Sequence, residues 1–75
     1  MEAKIKKIIE NVVMGYDSGA LSADDQFREK GIDSLDVFAI MNAVEKEFNI
    51  QLSDDEVEAC NSINDIIRCV VSRQI

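Results

Sequence analysis

Apolar residues recur near the start of the chain at Ile5, Ile8, Ile9, Val12 and Tyr16, offsets of 3, 4, 7 and 11, which lie on one face of a helix. The spacing predicts a first helix from about Glu2 to Met14. Gly15 and the run Asp17-Ser18-Gly19 then punctuate the chain. A long connection follows to about Asp33, with Leu21 and Phe27 as the apolar anchors that pin it to a core. So long a connection in a compact domain needs a reason, and function is one. Helical spacing returns from Ser34 to Phe48, with Val37, Ile40, Met41, Val44 and Phe48 on one stripe that Leu35 and Phe38 widen. Ser53 followed by Glu56 is a capping-box pattern for a short third helix, Asp54 to about Cys60, with three acids in its first turn. Ser62 caps a last helix striped by Ile63, Ile66, Ile67, Val70 and Val71. Only Ile50-Gln51-Leu52 hints at a strand, and three residues build no sheet. The pattern predicts an all-α fold, a single-domain four-helix bundle over residues 1–75 with three longer helices and one short third helix.

Composition narrows what such a bundle does. Apolar residues at 47% and charged residues at 31% are globular values, and 75 residues make one small domain without room for a deep two-domain cleft. A net charge of −7 repels phosphate backbones and anionic headgroups, so neither nucleic acid nor a membrane is an expected partner. No apolar run approaches the roughly 18 residues that span a bilayer. A cytoplasmic monomer is the expectation. The chain has no histidine, which removes the usual general base and the commonest zinc ligand. Chemistry by this chain alone is therefore not expected. Two cysteines, Cys60 and Cys69, match no metal spacing and are too few for a disulfide scaffold; they read as buried or half-buried thiols acting as small hydrophobes. The charge is also unevenly placed. From Asp33 to Glu58 the chain carries eight acids (Asp33, Asp36, Glu45, Glu47, Asp54, Asp55, Glu56, Glu58) and one base, Lys46, while acids and bases balance elsewhere. This stretch is either a solvated face or an anionic docking surface for basic partners.

Gly31-Ile32-Asp33-Ser34-Leu35-Asp36 stands where the long connection meets the second helix. Asp33 or Ser34 is its cap or first-turn residue. A hydroxyl there can also carry a phosphate beside the positive end of the helix dipole, although Asp33 and Asp36 oppose the charge and need another purpose. An EF-hand loop is excluded, because no aspartate precedes Gly31 at the required register. At these residues the chain resembles the acyl carrier protein family. The resemblance spans the whole chain: Phe27, the hexapeptide, Glu45-Lys46-Glu47-Phe48, Ser53-Asp54-Asp55-Glu56 and Ser62-Ile63.

The resemblance implies a non-enzymatic carrier in which Ser34 bears a 4′-phosphopantetheine arm whose thiol holds acyl groups as thioesters, for fatty acid, polyketide or a dedicated related biosynthesis. A separate phosphopantetheinyl transferase supplies the base, the Mg²⁺ and the coenzyme A donor, so this chain needs no catalytic residue or metal site of its own. Asp33 is expected to position the serine or metal in that complex. Leu35, Asp36, Glu45, Glu47, Asp54, Asp55, Glu56 and Glu58 are expected to meet acyl-processing enzymes with basic docking patches. Phe27, Ile32, Phe38, Met41, Leu52, Val57 and Cys60 are expected to line an acyl cavity; Val44 and Ile66, which the family also suggests, read better as plain core. Phe38 is bulkier than the aliphatic residue usual there, which implies a narrowed cleft for short, aromatic or polar cargo. Ala39, at a position often acidic, and Lys46 weaken the docking face locally. Two alternatives stand beside this reading: a standalone aminoacyl or peptidyl carrier of nonribosomal synthesis, and an acidic helical adaptor in which Ser34 is merely a cap.

Overall fold

A computed structural model describes residues 1–73. Its four α-helices are α1 (Glu2–Val12), α2 (Ser34–Phe48), α3 (Asp54–Ala59) and α4 (Ile63–Arg73). Among the described residues there is no strand, and the segment 50–52 is irregular. The extents are 31 × 22 × 20 Å. Helix α1 packs on α2 and α4, and α3 on α2. The stripes predicted from sequence supply the core: Ile5, Ile8 and Ile9 from α1, Ile40, Met41 and Val44 from α2, and Ile63, Ile66 and Val70 from α4 are buried. Each such side chain contributes roughly 1.5–3 kcal/mol on leaving water.

Two edges of those stripes differ from the sequence pattern. Helix α1 ends at Val12 rather than Met14, because Val13 leaves helical geometry at φ −102°, ψ 88° and Gly15 turns the chain at φ +81°. Tyr16 therefore lies beyond the helix, where its hydroxyl donates to the Lys30 carbonyl at 3.0 Å. Burial and the nearby Asp25 and Asp17 push its pKa up, so it stays a donor. On α4, Val71 is exposed and falls outside the buried stripe.

The long connection is also more ordered than its composition suggests. Two 3₁₀ turns, Ser18–Ala20 and Phe27–Lys30, sit within it. Asp17 accepts from the Gly19 N–H and Asp25 from the Ser22 N–H, local side-chain turns that substitute for a ladder. Buried Ser18 donates to Glu10 on α1 at 2.8 Å. Leu21 and Phe27 are both 1% exposed, so the expected anchors do hold the connection down. The Phe27 N–H donates to the Asn61 carbonyl at 2.8 Å and the Asn64 N–H to the Ala23 carbonyl at 3.1 Å, which ties the connection to the α3–α4 junction. Gly31 ends the second turn at φ +83°, a left-handed conformation that glycine adopts without a Cβ penalty, and so delivers the chain to the start of α2.

Candidate functional site

Asp33 and Ser34 share the α2 N-terminus in a definite way. Asp33 is the N-cap, extended at φ −86°, ψ 178°, and its Oδ1 accepts from the Asp36 N–H at 2.9 Å. That accounts for an acid beside the serine in structural terms: it satisfies an orphan donor and complements the helix dipole. Ser34 is then the first helical residue. It is exposed, and its hydroxyl makes no hydrogen bond among the described residues. Of the two candidates that the sequence leaves open, Asp33 is the cap and Ser34 the first-turn residue.

Ser34 stands on the rim of a cleft of about 340 Å³ between α2, α3 and the Phe27–Lys30 turn. Of the residues expected to line an acyl cavity, Phe27, Ile32, Phe38, Val57 and Cys60 do so. Met41 and Leu52 do not. Met41 is 1% exposed inside the core and Leu52 packs half-buried against that core, so neither forms part of the cleft wall. Val44 and Ile66 are fully buried core residues. The cleft also takes residues that sequence reasoning passed over: Val37 on α2, Arg28 on the 3₁₀ turn, and Asn61 after α3. Val37 was legible as an apolar α2 position but not as one facing the opening. Arg28 had no register to place it while its segment read as loop. It is the cation among the lining residues of the cleft that Ser34 also lines, and makes no ion pair among the described residues.

The acidic residues divide into engaged and free. Glu45 accepts from the Leu52 N–H at 2.9 Å and so holds the α2–α3 loop. Glu47 lies 3.6 Å from Lys4, whose ammonium also sits over the Phe48 ring at 5.6 Å. Glu56 closes the capping box with Ser53, accepting its N–H, and pairs with Arg73; the Ser53 N–H and then Arg73 hold its carboxyl below the usual range. Asp54, Asp55 and Glu58 are exposed and carry no ion pair among the described residues, and Asp36 is half-buried. Leu35, 77% exposed, projects beside Ser34 as an apolar point in this acidic surround.

A small helical bundle that presents an unbonded serine at a helix start, on the lip of a cleft with one apolar wall, has the architecture of a carrier domain. Residues 3–70 match the family described as "Phosphopantetheine attachment site". An acyl carrier protein of Clostridium acetobutylicum is 32% identical over 68 residues, covering 89% of this chain and 87% of the relative. One from Akkermansia muciniphila is 35% identical over 68 residues, covering 89% and 84%. The crystal structure of an acyl carrier protein from Thermotoga maritima superposes with a TM-score of 0.84 at 29% identity, covering 96% of this chain and 84% of that one. The chain belongs to the acyl carrier protein family, and 4′-phosphopantetheine is its prosthetic group. No helix among the described residues is long and apolar enough to cross a membrane.

Proposed function

We propose that Ser34 is the attachment residue and that the chain carries acyl groups for fatty acid, polyketide or a dedicated related biosynthesis. The observation that carries this reading is the free, exposed Ser34 hydroxyl on the cleft rim, released from capping by Asp33. The residues present fit the group. Ser34 Oγ would hold the phosphate by an ester bond, Arg28 lines the same cleft as a cation suited to a phosphodiester, and Phe27, Ile32, Val37 and Phe38 offer an apolar wall for cargo hanging from the arm. When bound, the arm supplies a thiol on which acyl groups ride as thioesters. The chain's own share is to present the hydroxyl, to shield apolar cargo and to be recognised.

Recognition falls to the charged face. Asp36, Asp54, Asp55 and Glu58 are the carboxylates free to meet the transferase and acyl-processing enzymes with basic patches, around Leu35 as an apolar contact. Glu45, Glu47 and Glu56 add field while already bonded within the fold. Phe38 is 40% exposed in the cleft wall, which supports short, aromatic or polar cargo over long chains. The acyl carriers among the relatives favour acyl over aminoacyl cargo, and a prosthetic group sets aside the adaptor reading. A cytoplasmic, monomeric carrier belongs to the same proposal.

Intact mass spectrometry after incubation with coenzyme A and a broad-specificity phosphopantetheinyl transferase tests the assignment. One pantetheinyl addition is expected, absent in Ser34→Ala. Full modification of that variant would move the arm elsewhere.

A further inference from the structure

Cys60 and Cys69 are absorbed by neither the arm nor the docking face, yet the fold brings them together. Cys60 ends α3 in extended geometry, is buried, and lines the cleft; Cys69 lies on α4 and is half-buried. Their sulfurs stand 3.3 Å apart as free thiols. A disulfide needs about 2.05 Å, so the pair closes by an approach of roughly 1.3 Å. Cys60 sits at the junction between helices, where backbone torsions adjust most easily. Among the described residues, few side-chain bonds tie α3 and this junction to α4: the exposed Glu56–Arg73 pair, the Asn61 N–H to Asp65 at 2.9 Å and the Asp65 N–H to Ser62 Oγ at 3.2 Å.

We propose that Cys60 and Cys69 form a dithiol–disulfide site, oxidised by a small disulfide of the glutathione class, which clamps α3 and the cleft wall it carries onto α4. Cys69, the more accessible thiol, reacts first. Its thiolate attacks one sulfur of the small disulfide, expelling one thiolate and leaving a mixed disulfide on Cys69. The Cys60 sulfur then attacks the Cys69 sulfur, gives its proton to solvent and expels the second small thiolate. Two protein thiols are oxidised and one small disulfide is reduced to two thiols. Burial first, then Cys69, Asp65 and Glu56, push the Cys60 thiol up to about 12. It therefore does not compete as the first nucleophile, and the second step sets the rate. In a reducing compartment the pair rests as thiols and closes only under oxidative load. The site stands independently of the assignment of Ser34.

The full chain, with and without its pantetheine arm, is equilibrated in glutathione redox buffers, quenched by alkylation and digested with trypsin. Cleavage after Arg68 separates the two cysteines, so a bridge links two peptides. The expected result in both forms is that linked pair in a monomeric chain two hydrogens lighter, with slower amide exchange in α3. Cys60→Ser is expected to accumulate the glutathione adduct on Cys69, while Cys69→Ser leaves Cys60 at least about tenfold less reactive. A stable glutathione adduct on the wild-type chain, an arm-to-cysteine or chain-to-chain disulfide as the main product, or unchanged thiols would each overturn the proposal.

Discussion

Asp33 and Ser34 are two adjacent polar residues that local sequence treats as interchangeable caps, and only their backbone torsions separate them. Because Asp33 holds the Asp36 N–H, replacing it by alanine is expected to destabilise the fold by about 1 kcal/mol in urea titrations. Asparagine caps as well as aspartate, so Asp33→Asn should keep that stability. If its modification rate nevertheless falls, the carboxylate also acts in the transferase complex; an unchanged rate restricts Asp33 to capping. Glu56 gives a pH dependence with a definite sign. Its folded pKa is depressed, so its contribution is complete above the ordinary carboxyl value of 4.5 and is lost as pH falls through the lower folded value. Glu56→Gln retains a capping-box side chain without the charge. Its stability should trail wild type at neutral pH and converge with it in acid; a constant gap would refute the linkage. The capping box of Ser53 and Glu56 was readable in the sequence, because it acts within one turn, whereas the choice between Asp33 and Ser34 was not.

Helix α3 shows how an element depends on its surroundings. Six residues are too few for an isolated helix in water, so a capping box at one end and buried Val57 beneath it must hold the element in place. The sequence announced that helix through Ser53 and Glu56. It gave no comparable sign of the 3₁₀ turns in the first connection, whose anchoring bonds run to Asn61 and Asn64, far along the chain. Phe27 is the hinge of that arrangement: its side chain is buried, its N–H is bonded to Asn61, and its carbonyl accepts from Ile32 at 3.0 Å. Phe27→Ala is expected to cost roughly 3–5 kcal/mol by chemical denaturation, a large share of the stability of so small a domain. A loss under about 1 kcal/mol would mean that the turn is held by its backbone bonds alone.

Across the whole molecule, the excess negative charge collects on α2, α3 and their linker, and long-range attraction depends on its sum rather than on any one pair. Asp36→Lys is expected to slow association with the transferase, by roughly tenfold at low salt, with the difference shrinking as ionic strength rises. Stopped-flow binding at several salt concentrations measures this, and a salt-independent rate would deny the face its steering role. The amino-acid order alone determined the helical faces, the capping box of α3, the site of the charge and the serine at the start of α2, since each follows from forces acting over a few residues or from a simple sum. Packing between distant segments decided the rest. It turned Phe27, Ile32, Val37, Phe38, Val57 and Cys60 toward one opening and withheld Met41 and Leu52 from it. It brought Arg28 and Ser34 to one cleft and set two thiols from separate elements in contact. Those arrangements depend on how whole helices meet, which a local pattern does not encode.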